Sequence, residues 1–511
     1  MSLGGLTQTA RLPRHVEILD FWVDPAVAFD VLAGGARDAF WLDGGVDATS
    51  GWSHLGTPGP LGAVALCDPV GGGMTVRASN GGAASGADAV SLDCTAFELL
   101  AATESHVRPR AAADPAASAA AASAGSAAAD AAAAGRPATR AGFDLGWVGW
   151  LGYENGAREL GVVHAAEQAS DTVLLFADRV LSFDHARRQL RLVTLVTPGS
   201  DAHLDWCETT ALQLRLLVGR APVAAPAAPQ LADAHARHSP DEYRALIAAC
   251  QREIAAGNAY QLCLTNRFEA QTSEDARTVY RRLRVANPTA HGGLVMAGDT
   301  ALLSSSPEVF LTVGPDRRVQ TRPIKGTRPR GATAAADEAL RRELHDDVKE
   351  RAENVMIVDL MRNDLSRVSE LGSVEVTGLF EVEQYANVFQ LVSTVTARLT
   401  DGTTVADLLR STFPAGSMTG APKNSAMRLL HGLEGGPRGA YAGAFGYVSL
   451  NGTVELAMTI RSIVLSNGTA SIGSGGGITA LSKIDDEVAE TFVKIVPLLA
   501  ALGTRIGGEA S

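Results

Sequence analysis

From residue 239 onward the apolar positions switch repeatedly between a spacing of two and a spacing of three to four, the signatures of strands and amphipathic helices. Ser239-Pro240-Asp241-Glu242 reads as a helix start, with Ser at the N-cap, Pro in the first turn and an acid three residues on. The helix runs to about Ala256 and stops at Gly257-Asn258. The next run, AYQLCLTNRFEA, alternates as a strand does. The same reasoning predicts strands at 293–297, 301–304, 308–313, 317–321, 374–380, 441–449, 453–465 and 470–474. It predicts helices at 272–286, 333–365, 386–399, 404–411, 422–432 and 483–501. Mixed elements with many hairpin-like connections define an α+β class with antiparallel sheets.

Two stretches break this texture. Residues 105–140 contain a run that is almost wholly Ala, with no apolar stripe to anchor a helix, and read as a surface insertion. Residues 221–238 begin with the spaced prolines of a semi-rigid connector. The expected organisation is therefore an N-terminal lobe over 1–220, the connector, a catalytic domain over 239–503 and a short tail at 504–511. The first residues lack the arrangement of a secretory signal, and no run of about 18 apolar residues occurs, so a cytoplasmic chain with no membrane partner is expected.

Composition narrows the partners. With 44 basic against 56 acidic residues and a net charge of −12, the chain lacks the basic surface that nucleic acid requires. Its five cysteines are scattered without a C-x-x-C pair, which excludes a disulfide framework and a cysteine-only zinc site.

The chemistry concentrates in a few places. In R-P-I-K-G-T-R at 322–328, Lys325 sits at a strand end between two arginines. Neighbouring cations and partial burial would favour the neutral, nucleophilic amine, and the alternative is a basic surface turn. Two acid pairs, Glu350 with Glu353 and Glu487 with Glu490, each share a helix face. They either converge on one hard cation, with Mg2+ favoured, or form solvated faces. Glycine-rich loops at 413–423 and 473–479 precede helices without matching a phosphate loop or a dinucleotide fingerprint. Bare N–H groups at such helix starts would still bind an anion, with Arg461 as a bidentate partner. No glutaminase nucleophile elbow and no G-x-S-x-G occurs, and the spacing of the histidines along the sequence suggests no metal-ligand cluster.

These motifs, in this order, resemble the chorismate-utilising enzymes: the anthranilate synthase component I, aminodeoxychorismate synthase component I, isochorismate synthase and salicylate synthase branches. The resemblance runs through AYQLCLT, SSSPEVF, PIKGTR, ENVMIVDLMRNDL, QLVSTV, FPAGSMTGAPK, GAYAGAFGY, TIRS and GGGI with EVAET. It continues more weakly into FWLD at 40–43, SHLG at 53–56 and GWLGYENG at 149–156. It implies two large antiparallel sheets packed as a β-sandwich between helices, four layers in the order α/β/β/α. It implies a Mg2+ site with Glu353 and Glu490 as direct ligands and Glu350 and Glu487 acting through water. Glu308 matches the general acid that protonates the departing C4 hydroxyl. Gln261, Thr327, Gln390, Thr419, Tyr441, Arg461, Gly475, Gly476, Gly477 and Lys494 match groups around the chorismate ring and its carboxylates.

Within the family, Gln261 stands where isochorismate and salicylate synthases carry a water-activating lysine. Lys325 stands where anthranilate synthases usually carry alanine. Together with S-M-T-G-A-P-K at 417–423, this is similar to the aminodeoxychorismate synthases, in which the lysine would attack C2 and ammonia then C4. The alternatives are an anthranilate synthase or 2-amino-2-deoxyisochorismate synthase with an atypical lysine and, more remotely, a non-catalytic chorismate-binding subunit. Gln390 replaces the usual His before Leu-Val-Ser, and Glu455 a common Asp. The resemblance also implies ammonia supplied by a glutamine amidotransferase subunit, component II.

Overall fold

The computed structural model describes residues 2–68, 72–79, 89–104, 142–162, 170–230, 233–385 and 388–507. The Ala-rich segment at 105–140 lies outside them. Two twelve-stranded sheets, with antiparallel pairing between their strands, face each other. One runs from the edge strand Arg14–Leu19 through Asp38–Asp43, His291–Ala297 and Thr300–Ser306 to Ser462–Ser466, Thr469–Ile478 and Gln261–Gln271. The other runs from Ile324–Pro329 through Val388–Arg398, Val309–Val313, Val454–Met458 and Ala444–Ser449 to Gly146–Leu151 and Val90–Leu92. Each sheet draws strands from before and after the connector, whose residues 221–230 are coil, so the two parts of the chain share both sheets.

The main core lies between the sheets, where Phe40, Leu42, Val180 and Val295 of one meet Val64, Trp147, Phe445 and Leu456 of the other. Helices Pro25–Ala33, Ala202–Arg215 and Ala276–Ala286 cover the outer face of the first sheet. Helices Pro240–Ala255, Lys423–Glu434 and Ile484–Val493 close over its far end. Helices Ala334–Asp346 and Val348–Ser366 lie on the second sheet, which completes the expected α/β/β/α layering.

Several boundaries differ from the pattern for physical reasons. Residues 388–398 form a strand, not the predicted helix. Three strands pair with it and Phe389–Ala397 are buried, so no alternation survives in the sequence, while Val392, Thr394, Val395 and Thr396 supply the β-branched content that strands favour. The predicted helix at 333–365 is two, because the Asp347 carboxylate caps a new helix by accepting from the Glu350 N–H. The helix at 483–501 likewise breaks before Val496, with Pro497 in the first turn of its second part. The strand at 453–465 is interrupted at 459–461, where the chain leaves one sheet for the other and Arg461 takes φ +50°.

Candidate active site

The site forms where the chain crosses between sheets. Ser306-Pro307-Glu308 carries it from Thr300–Ser306 in the first sheet to Val309–Val313 in the second, and Thr459-Ile460-Arg461 carries it back. These crossings leave the ladders but keep their backbone bonded, with the Glu308 carbonyl accepting from the Met458 N–H and the Arg461 carbonyl from the Ser305 N–H, so it is their side chains that can turn toward a ligand. Nearby, the strand Gln261–Gln271 pairs with Thr469–Ile478, aligning Cys263 with Gly477 and Thr265 with Gly475.

The glycines at 475–477 are therefore strand residues, not the helix-start loop read from the sequence; the following helix begins at Ile484. Their value is space. A Cβ at Gly477 would fall on the Gln261 amide and 3.3 Å from Lys325 Nζ, and one at Gly476 would lie 3.0 Å from a Glu487 oxygen. A Cβ at Gly473 would fall on the Tyr441 ring. Bare backbone thus lets an amide, an ammonium, a carboxylate and an aromatic ring reach one stretch of strand.

Lys325 lies on Ile324–Pro329, whose pairing slips between Lys325 and Thr327. Gly326, at φ +73°, makes the irregularity and admits Glu350, 3.0 Å from where its Cβ would stand. Lys325 Nζ is 3.3 Å from Glu353 Oε2. The flanking arginines do not depress its basicity as the sequence suggested. Arg322 binds Glu383, and Arg328 binds Glu343 and Asp347. Burial opposes the charge on Lys325, but Glu353 and Glu308 outweigh it and hold the amine above the ordinary lysine range.

Glu308 is buried. Removal from water pushes its carboxyl up to about 7, against the pull of Lys325, the Ile324 N–H and the Ser417 hydroxyl, which donates to Oε1 at 3.3 Å. Gln261 is fully buried, and neither its amide nitrogen nor its oxygen has a hydrogen-bond partner. An orphaned amide in such a place points to a ligand that completes it.

The remaining residues close the site. Lys494 Nζ donates to the Gly475 carbonyl at 2.8 Å and pairs with Glu490 at 2.8 Å, while Arg461 donates to the Lys494 carbonyl at 3.0 Å. Burial lowers the basicity of Arg461, as suits a cation poised for a carboxylate. Thr327 is exposed and stands opposite buried Gln390 in register. The Thr419 hydroxyl donates inward to the Ala415 and Gly416 carbonyls, and its own carbonyl accepts from the Cys263 N–H, so it shapes the loop. A cavity of about 330 Å³ between the sheets reaches Tyr441 and Gly473 but none of Lys325, Glu308, Gln261 or the four glutamates.

The acid pairs do face one another across two helices. Glu353 and Glu487 are buried, and Lys349 spans them, 3.8 Å from Glu353 Oε1 and 3.1 Å from Glu487 Oε1. Glu350 is raised by burial and by Glu353 and Asp347; Glu490 is lowered, Lys494 outweighing its partial burial. No three of the four bring carboxylate oxygens within 4.8 Å of one another, and Lys325, Lys349 and Lys494 pair with three of them. The donors are all oxygen and two are buried, which fits a hard dication in the place Lys349 now spans. Sequence reasoning passed over Lys349 and Ser417. The signal for Lys349 was its position four residues before Glu353 on one helix face.

Beneath the site, Arg438 and Glu434 form an ion pair with both side chains 1% exposed. Arg438 donates to the Met418 and Cys263 carbonyls, and Glu434 accepts from the Thr265 N–H and hydroxyl. This pair fixes the strand that presents Gln261.

The layered fold places the chain in the class of anthranilate synthase component I. The crystal structure of that component from Streptococcus pneumoniae superposes with a TM-score of 0.71 at 27% identity, covering 88% of this chain and 93% of the other. The menaquinone-specific isochorismate synthase of Escherichia coli shares the fold with a TM-score of 0.62 at 17% identity over 98% of each chain. Residues 90–500 match the model of the chorismate binding enzymes, and the chain belongs to that family. It is 42% identical to an aminodeoxychorismate synthase of Streptomyces griseus over 98% of its own length and 66% of that protein. It is 38% identical to that of Streptomyces pristinaespiralis over 96% and 65%. An anthranilate synthase component 1 of Streptomyces coelicolor is 35% identical over 96% of this chain and 89% of the other. The chain thus spans about two thirds of the length of the two aminodeoxychorismate synthases.

Proposed function

We propose that this chain aminates chorismate at C4, giving 4-amino-4-deoxychorismate for 4-aminobenzoate synthesis, with Mg2+ and with ammonia delivered by a glutamine amidotransferase subunit in the cytoplasm. The observation that carries the reading is the position of Lys325: a partly buried amine between Glu353 and Glu308, beside the bare strand at Gly477 and the unpartnered Gln261 amide. No helix among the described residues is long and apolar enough to cross a membrane.

In this reading Arg461, Lys494 and the backbone at Gly475 and Gly477 hold the carboxylates of chorismate, and Tyr441 backs its ring. Lys325 Nζ bonds to C2, the two ring double bonds shift, and the C4–O bond breaks. Glu308, mostly neutral below about pH 7, gives its proton so that water leaves. Ammonia then bonds to C4, the double bonds shift back and the C2–N bond to Lys325 breaks. Net, chorismate and ammonia become the amino product and water. Lys325 is protonated at rest, so its proton must first pass to the Glu353 carboxylate, 3.3 Å from Nζ, and returns to the amine when the C2–N bond breaks. The proton released by the ammonia nitrogen at C4 restores Glu308. When bound, Mg2+ would supply positive charge to the ring carboxylate. Glu353 and Glu490 would hold it directly, with Glu350 and Glu487 behind water.

The test is mass analysis of the product from purified chain, chorismate, ammonium and Mg2+. A second reading, amination at C2 to anthranilate, is favoured by the near full-length match to the Streptomyces coelicolor component. Anthranilate fluorescence without an added lyase would establish it and reject the first.

A further inference from the structure

The edge strand Arg14–Leu19 is built inside out. Its Val16 and Ile18 face solvent at 42% and 58% exposure, while His15 and Glu17 turn inward with Leu19, toward the helix Ala202–Arg215. A strand on a core ordinarily does the reverse, because inward polar groups cost free energy unless something binds them. Here Glu17 accepts a hydrogen bond from the Cys207 thiol, which burial and that carboxylate push up to about 12, so a metal ion would have to displace the thiol proton. The helix answers in kind. Cys207 and, one turn earlier, His203 lie on the stripe that Thr210 and Leu214 continue into the core. One ligating atom from each of His15, Glu17 and Cys207 falls within 4.8 Å of the others.

We infer that His15, Glu17 and Cys207 form a binding site for Zn2+ or a similar borderline transition-metal ion that pins this edge strand to its helix, with His203, whose ring nitrogens lie outside that 4.8 Å group, turning in as the fourth ligand. The residue set is the one such ions prefer, imidazole, carboxylate and thiolate together, and Mg2+ would not choose it. Zn–N and Zn–S bonds of about 2.0 and 2.3 Å put the ligand atoms of a tetrahedral site with one thiolate roughly 3.3 to 3.5 Å apart, so the three need close by no more than about 1.5 Å. Two imidazoles on one tetrahedral ion have ring centres about 5.2 Å apart by the same bond lengths. Those of His15 and His203 are 5.4 Å apart at 65°. His203 Nδ1 lies 3.2 Å from the Ser200 carbonyl, the outer contact that fixes a metal-binding imidazole and leaves Nε2 bare. The site is at the opposite edge of its sheet from Gln261–Gln271, with eight strands between, and is independent of the carboxylate cluster.

The test is a Co2+ titration of full-length, chelator-stripped, reduced protein. One equivalent should bring up tetrahedral ligand-field bands in the visible and a thiolate-to-cobalt band in the near ultraviolet, both removed by Zn2+. Cys207→Ser should abolish the thiolate band, and His15→Ala and His203→Ala should each weaken binding tenfold or more. Zn2+ should raise the melting temperature of the wild type and not of Cys207→Ser. If Cys207→Ser misfolds, Glu17→Gln, which keeps the thiol, should still bind at least tenfold more weakly. No thiolate band in the wild type, or an undiminished band in Cys207→Ser arising from another cysteine, would overturn the site.

Discussion

Replacing Glu308 by Gln should stabilise the protein in a pH-dependent way while destroying its activity. The folded carboxyl titrates at about 7 against 4.5 for an unperturbed one, chiefly because burial penalises its charge. That difference corresponds to about 3 kcal/mol at 1.36 kcal/mol per pH unit. The folded value is the higher one, so the native state is at full stability below about 4.5. It loses stability as pH rises, and the loss is complete once pH passes about 7. Gln is neutral throughout and nearly isosteric, so the variant escapes that loss. For a chain of this length the unfolding entropy is about 1 kcal/mol/K, which converts the full effect to a melting temperature higher by about 3 °C at pH 8 and nearly unchanged at pH 5. Thermal melts of both proteins at half-unit pH steps give the curve directly. Turnover should fall by about two to four orders of magnitude, because the amide has no proton to give. A melting difference independent of pH, or a variant less stable than the wild type at pH 8, would refute the reasoning that burial governs this carboxyl.

Lys325→Ala should abolish the covalent route; wild-type turnover in that variant would make Lys325 structural or electrostatic. Glu353→Gln and Glu490→Gln should each impair turnover severely, and a chelator should stop the wild type, whereas chelator-insensitive turnover would reduce the acid pairs to solvated faces. Arg438→Met leaves Glu434 charged and unpaired in the interior and should cost about 3 to 5 kcal/mol, read by thermal melting, and an unchanged midpoint would show the pair to be dispensable. The chain alone should make no product from glutamine, some from ammonium at raised pH, and most with a glutaminase partner plus glutamine. Glutamine-dependent product from the chain alone would locate a glutaminase within it.

Local rules reached far along this chain. The helix at Pro240–Ala255 was legible because its Ser239–Glu242 capping box needs only four neighbouring residues, and the structure contains both halves of it. The motif order was legible for the same reason: PIKGTR, SSSPEVF and GGGI each carry their chemistry in consecutive positions. What faces them is not local. Whether Lys325 is neutral or charged depends on Glu353, which reaches it from another element once Val348–Ser366 packs beside the strand Ile324–Pro329. The sequence showed two arginines beside that lysine, and only the fold turned them toward other acids. The strand Val388–Arg398 hid for a related reason, since burial on both faces removes the alternation by which strands announce themselves. Glycines 475 to 477 looked like a loop because sequence cannot say which bare backbone must make room for Gln261, Lys325 and Glu487. That demand exists only after strands and helices distant in the chain are brought to within a few ångströms of one another.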